Sequence, residues 1–376
     1  MLKEMLMSDQ TLFKDRDAFE ADYLPEDFKY RDTQLKEMAY AVRPALFGSR
    51  PTNLILRGLP GTGKTTSVRH IFSEVRETTQ RILPVYVNCQ NDHTRFMVYT
   101  RIYESIFGHL PPTSGISFRR VMNEIGYALM DRGKVLLVCL DDANYLLHEG
   151  VLNNTLYSIL RLYEEFQGVR SGVILTMSNI DTNLSRELDS CVMSVMQPGE
   201  IYFPPYSIGE VEAILQDRIR QGIYSGVISP EVFDLIIERT FSCGDLRVGL
   251  DLVRRAVLTA ERCARKTVDM DDVESAFDVA KNIHLINSVK VLNKEEKKLL
   301  RTIAKYSQEE EHMMHSGAVF ASVREETPMG YTTFFERLKK FDEMRLINLT
   351  SRRIGGNTKE ISLRYDAEKV VEECRG

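Results

Sequence analysis

Apolar positions along the chain fall into three successive regimes. From about Thr33 to Phe47, the residues Leu35, Met38, Ala39, Val42 and Leu46 recur at helical spacing and predict an amphipathic helix. Beyond it, short and largely apolar runs stand at Asn53–Arg57, Ile82–Cys89, Val135–Leu140, Val173–Ser178 and Ile201–Phe203, with helical patterns between them. Runs of this kind fit strands buried on both faces, as in a parallel sheet covered by helices. The pair Pro204 and Pro205 breaks regular structure and marks a boundary.

From Tyr206 to about Asn282 the pattern is purely helical, with Ser207, Ser229, Ser242 and Asp269 placed as N-caps. From Leu292 the organisation changes again. Helical patterns around 294–306, 316–326 and 331–343 precede Leu346–Arg364, where two alternating runs flank a Gly-Gly-Asn turn and read as a β-hairpin. Three helices and a hairpin are the layout of a winged helix. The expected architecture is therefore an α/β nucleotide-binding domain over 1–205, a helical lid over 206–288 and a winged helix over 289–376.

Composition adds little to this until it is read locally. The 376 residues carry 49 basic and 54 acidic side chains, so no global excess of positive charge marks a nucleic-acid binder. The six cysteines show no C-x-x-C pair, which argues for reduced thiols in a cytosolic protein and against disulfides or zinc. No apolar stretch approaches a membrane span, and the initial MLKEMLM lacks the pattern of an export signal.

The chemistry lies at the ends of two of the predicted strands. GLPGTGKTT, Gly58 to Thr66, is a complete phosphate loop between a strand and a helix. Its backbone around Gly61, Thr62 and Gly63 turns amides inward on a β-phosphate, with Thr66 following in the helix. Lys64 reaches the β- and γ-phosphates, and the Thr65 hydroxyl serves Mg²⁺. The second strand, VLLVCL, runs into Asp141 and Asp142, of which Asp141 supplies a carboxylate to the metal or its waters. Asn179, ending a third strand, fits either a water-orienting residue or a turn former, and Arg247 fits either a phosphate sensor or a solvated helix face. ATP and Mg²⁺ are the implied cofactors.

The segment from Tyr331 to Arg364 carries eight basic residues against four acidic ones in an acidic chain, the local excess that phosphate neutralisation needs. In the helix from Tyr331 to Phe341, Phe334, Leu338 and Phe341 are spaced to face the core. Thr332, Thr333, Glu336, Arg337 and Lys340 are left pointing outward, toward a major groove if this is a recognition helix. The hairpin tip offers Arg352, Arg353, Gly355, Gly356, Asn357 and Lys359 to a minor groove. A protein-binding winged helix with a solvated charged face is the alternative reading.

Taken in order, the phosphate loop, the acidic strand end, the Asn-ended strand, FPPY at Phe203–Tyr206, GDLR at Gly244–Arg247 and the terminal winged helix resemble AAA+ replication initiators. The resemblance is to archaeal proteins related to origin-recognition and cell-division-control subunits, and it covers nearly the whole chain. It implies that Tyr23, Pro25 and Arg31 border the adenine, with Tyr206 closing from the lid. It also implies that the helix from about Asp92 to Phe107 is the initiator insertion, whose Arg95 and Arg101 fit either DNA contacts or surface charges. Partners so implied are duplex origin DNA, the replicative helicase and initiator paralogues, with the protein on the chromosome.

Two departures from that family pattern concern hydrolysis. Asp142 stands where the family usually has a glutamate base, and a carboxylate one methylene shorter misplaces the proton acceptor on a scale that matters to catalysis. Cys191 stands where an arginine finger is usual, although Arg186 is nearby. The expectation is a weak Mg²⁺-dependent ATPase whose nucleotide state acts as a switch. A regulatory or antagonist paralogue, and a protein remodeller using the winged helix as adaptor, are the alternatives.

Overall fold

The computed structural model describes residues 11–20, 22–112, 115–178, 182–309, 314–326, 329–351 and 359–375. The chain divides into two compact units, one spanning Leu24–Pro204 and the other joining the N-terminal segment through Tyr23 to everything from Pro205 onward.

In the first unit, five strands form one parallel sheet: β1 (Leu54–Arg57), β2 (Ile82–Asn88), β3 (Val135–Asp141), β4 (Arg170–Met177) and β5 (Gly199–Tyr202). Their order across the sheet is β2-β3-β4-β1-β5. All seven residues of β3 are buried, as its unbroken apolar run requires. Alternate residues feed two cores. Leu136, Val138 and Leu140 pack on one face with helices α3 (Arg95–Phe107), α4 (Phe118–Arg132) and α5 (Val151–Leu160). Leu137 and Cys139 pack on the other with α1 (Asp32–Leu46) and α2 (Lys64–Thr78). The β4 strand begins three residues before the sequence pattern suggests, because Arg170, Ser171 and Gly172 continue the ladder beside Val135, Leu136 and Leu137.

The order of the strands reverses between β1 and β4, and parallel sheets bind ligands beyond the carboxyl ends of strands at such a point. That is where the phosphate loop leaves β1.

In the second unit, α6 (Ile208–Gly222), α7 (Pro230–Cys243), α8 (Leu246–Arg262) and α9 (Met270–Val291) share an apolar core. Ser207 and Ser229 cap their helices, and Asp272 reaches back to the backbone N–H of Asp269. Ser242 is not a cap. It sits in the last turn of α7, its hydroxyl donating to the Arg239 carbonyl, and Asp245 caps α8 instead.

Residues 11–20 belong to this helical core and not to the sheet, which corrects the first expected domain. Phe13, Ala18 and Phe19 are buried among Val211, Leu215 and Leu252, and the amides of Lys14 and Asp15 donate to the Gly222 carbonyl.

After α9 come α10 (Lys294–Glu309), β6 (Met314–His315), α11 (Ser316–Glu326), α12 (Tyr331–Glu343), β7 (Ile347–Ser351), β8 (Lys359–Leu363) and α13 (Ala367–Glu373). The three strands form an antiparallel sheet in the order β6-β8-β7. Phe334, Leu338 and Phe341 are buried, as their spacing requires. Among the described residues no helix is long and apolar enough to cross a membrane.

Candidate nucleotide site and candidate nucleic-acid interface

The phosphate loop folds back on itself as its composition dictates. Gly63 takes a left-handed φ of 87° and starts α2, and a side chain at Gly58 would strike the Phe203 carbonyl at 2.5 Å. Thr62 is buried and its hydroxyl donates to the Leu59 carbonyl. Lys64 is buried too, its ammonium donating to the carbonyls of Gly58 (2.7 Å) and Leu59 (2.8 Å). Gly61 has a left-handed backbone, and Thr66 is half-buried in the first turn of α2.

Thr65 and Asp141 are brought together, with the hydroxyl 2.9 and 3.0 Å from the two carboxylate oxygens. Two further hydroxyls hold the same carboxylate: Tyr86 donates to Oδ2 at 2.6 Å and Thr176 to Oδ1 at 2.6 Å. Thr176 in turn accepts the backbone N–H of Asp142 at 2.7 Å. Asp142 has a left-handed backbone, φ 52°, and its carboxylate accepts from the Ser178 hydroxyl at 2.8 Å. A short polar side chain tolerates that conformation better than most.

Tyr86, Thr176 and Ser178 escaped the sequence reading. Their one signal is a polar side chain inside an otherwise apolar strand. Burial and then the charge of Asp141 raise the Tyr86 phenol, keeping it a donor, and burial raises the Cys89 and Cys139 thiols. Asn179 lies outside the described residues.

Of the residues expected around the base, Pro25 is buried in the sheet unit. Arg31 is 2% exposed and does not offer an open edge. Its guanidinium donates to the carbonyls of Thr62 (3.0 Å), Tyr30 (2.9 Å) and Pro204 (2.7 Å), which ties the phosphate loop to the end of the unit. Tyr23 and Tyr206 belong to the helical unit. There Tyr23 lies under the Arg218 guanidinium at 4.3 Å, and Tyr206 packs against the helical core. Cys191 is exposed and its carbonyl accepts from Arg161, while Arg186 is exposed on a neighbouring turn.

Arg247 stands in the first turn of α8 and forks onto Asp245, with contacts of 2.5 to 3.0 Å. Burial alone would raise the Asp245 carboxyl. The charge and hydrogen bonds of Arg247, with the field of His284, outweigh it and hold the group at about 2. Residues of the C-terminal part grip this turn. Arg364 donates to the Ser242 carbonyl at 2.7 Å, Arg345 covers the Phe241 ring, and the Tyr365 hydroxyl meets His284 Nδ1 at 2.5 Å.

The exposed face of α12 differs from the one its spacing implies. Lys340 is buried with its ammonium 2.7 Å from Glu296, and Arg337 is largely covered by a 2.8 Å pair with Glu295, because α12 packs on α10 as well as on the hairpin. These two are corrected from outward-pointing residues to packing residues. Thr332, Thr333, Glu336 and Lys339 remain exposed. Beside them Tyr331 stacks on Phe335, and the ammonium groups of Lys339 and Lys359 lie 5.3 and 4.6 Å from the Phe335 ring centre. Arg352, Arg353, Gly355, Gly356 and Asn357 lie outside the described residues. In α3, Arg101 pairs with Asp92 and Glu104, and Arg95 covers the Phe118 ring.

A phosphate loop after the strand at the reversal point, an acidic end to β3 and a helical bundle after the sheet define an AAA+ protein. Accordingly, residues 48–180 match the AAA domain and 212–278 the Cdc6 AAA+ ATPase-type lid domain. The chain is 41% identical over 371 residues to ORC1-type DNA replication protein 3 of Haloarcula marismortui, covering 98% of this chain and 97% of that one. It is 38% identical to ORC1-type DNA replication protein 2 of Methanothermobacter thermautotrophicus, covering 100% and 98%. Its fold resembles that of the Aeropyrum pernix ORC1 protein in complex with DNA, with a TM-score of 0.64 and 25% identity over 98% of this chain and 97% of that one. The Aeropyrum pernix ORC2 protein, solved with ADPNP and ADP, has a TM-score of 0.73 at 22% identity over 97% and 98%. The chain belongs to the ORC1-type DNA replication proteins, archaeal AAA+ replication initiators.

Proposed function

We propose that this protein binds ATP and duplex DNA at a replication origin and helps place the replicative helicase there, with nucleotide state as a slow switch. The observation carrying the reading is the convergence of Lys64, Thr65, Asp141 and Asp142 beyond β1 and β3. Oxygen donors from Thr65 and Asp141 are the hard set that suits Mg²⁺, which when bound would neutralise charge on the β- and γ-phosphates. Lys64 would leave its carbonyls for those phosphates.

Asp142 is the residue available as base, short by one methylene and engaged by Ser178. This supports slow conversion of ATP to ADP and phosphate, for which Asn179 is the proposed water-orienting residue. The 289–376 region, with its helices and hairpin, acts as a winged helix on DNA. Its binding face is Thr332, Thr333, Lys339 and Lys359, with Arg352, Arg353 and Asn357 as further proposed contacts. Arg95 and Arg101 would add contacts from α3. In this division the nucleotide domain runs from Leu24 to Pro204 and the lid over 206–288, with residues 11–20 packed on the lid.

Fluorescence anisotropy of a labelled duplex, with the protein preloaded with ATP or ADP across a salt series, tests the reading. Salt-sensitive binding that differs between the two states is expected, and no binding in either state would refute it. Single-turnover hydrolysis of Asp142→Glu should exceed that of the wild type. Cys191 and Asp142 together also favour a second reading, a regulatory paralogue that binds DNA or other initiators without firing origins. Reconstituted helicase recruitment separates the two.

A further inference from the structure

The Asp141 carboxylate is held from both sides by residues of neighbouring strands. β2 and β3 pair in parallel with Tyr86 opposite Cys139 and Asn88 opposite Asp141. Cys139 and Asp141 share a face, so the Tyr86 ring starts beside Cys139 and leans along the strand until its hydroxyl meets Oδ2 of Asp141 at 2.6 Å. The ring is fixed by its environment: it packs against the core on that side of the sheet, and the Arg69 guanidinium of α2 lies 5.2 Å from its centre. From the opposite neighbour, β4, Thr176 donates to Oδ1 at 2.6 Å.

A carboxylate oxygen has two acceptor positions. One on each oxygen is taken by these two strands, and what remains is the edge that Thr65 approaches at 2.9 and 3.0 Å. Without such donors, the side chain of Asp141 could turn about its Cα–Cβ bond. With them, a single orientation survives, aimed at the hydroxyl expected to meet the ion.

We propose that Tyr86 and Thr176 are positioning residues of the Mg²⁺ site, holding the Asp141 carboxylate so that its one open edge faces Thr65 and the ion. This rests on the reading that the site takes a nucleotide with Mg²⁺. A ring alone at position 86 fills the same space, so packing does not require the phenol oxygen. Thr176 has a second duty. The oxygen that donates to Asp141 also accepts the Asp142 N–H at 2.7 Å, so one hydroxyl sets both acids.

The test separates metal-dependent from metal-independent affinity. A fluorescent ADP analogue is titrated into the full chain in EDTA, and again across a series of Mg²⁺ concentrations, for the wild type and Tyr86→Phe. Partners behind a metal ligand typically change metal affinity by about 10–100-fold. The expected result is an unchanged affinity in EDTA and a Mg²⁺ midpoint raised by about that factor. An unchanged midpoint overturns the proposal, and so does an equal loss with and without Mg²⁺, which would assign Tyr86 to packing. A wild type that binds no nucleotide refutes the reading of the site itself. Thr176→Ser, which keeps the hydroxyl, should retain the wild-type midpoint, while Thr176→Val should not. Indistinguishable midpoints in those two variants would count equally against it.

Discussion

The ammonium of Lys340 lies 2.7 Å from Oε1 of Glu296, with the two side chains 6% and 2% exposed. A buried pair of this kind penalises removal of one member more than removal of both. Lys340→Met should destabilise the C-terminal part by roughly 3–5 kcal/mol. Adding Glu296→Leu should recover most of that loss. Denaturant unfolding of both variants checks it, and equal stability of single and double variants would contradict it.

DNA affinity should depend on residues that the packing leaves outside, on the same helix and at the start of β8. Lys339→Ala and Lys359→Ala are each expected to lower the slope of log affinity against log salt by about one. Arg337→Ala should leave that slope close to wild type, since Arg337 faces Glu295. Anisotropy titrations at several salt concentrations decide between these residues, and the reverse ranking would remove this face of α12 from the interface.

Much of the fold was legible because its signals are local. Strand runs, the fixed spacing of the phosphate loop and the caps at Ser207 and Ser229 need no knowledge of distant residues. The supports of Asp141 were not legible, since Tyr86 and Thr176 are 55 and 35 residues away in the chain and meet it only through sheet register. The outward face of α12 was misjudged for a related reason. The stripe Phe334–Leu338–Phe341 defines one buried line, but packing on α10 widens the buried arc to include Lys340. Ser242 looked like a cap until α7 was seen to run through it.

Stability should fall on mild acidification. Burial lowers His284, with the Asp245 charge opposing and the Arg247 charge reinforcing the shift, so the folded state keeps this ring neutral below its ordinary 6.5. The unfolded chain takes up the proton first. The stabilisation is thus complete above about pH 6.5 and is lost as pH falls toward the folded value. Thermal midpoints measured from pH 8 to 5 should decline in the wild type and decline less in His284→Gln. Parallel curves would place the titrating group elsewhere.

On the proposed reading, a nucleotide entering the loop would displace Lys64 from the carbonyls of Gly58 and Leu59. Lys64→Ala should therefore weaken binding of a fluorescent ADP analogue by about 10–100-fold, the range for a charged hydrogen bond. The loop should remain folded, because Thr62 and Arg31 hold its backbone independently. Wild-type affinity in this variant would move the nucleotide away from the loop.

The turn between α7 and α8 has a consequence for how the sequence can drift. Gly244 has a φ of 68°, and a Cβ there would stand 2.7 Å from Cγ of Arg345, a residue some hundred positions later that itself has a left-handed backbone. A side chain at 244 meets two obstacles, the left-handed backbone and the Arg345 stem, whereas Arg345 can shorten without disturbing Gly244. Two distant stretches of the chain thus share a one-way constraint, and a relative without glycine at the first is expected to carry a shorter side chain at the second.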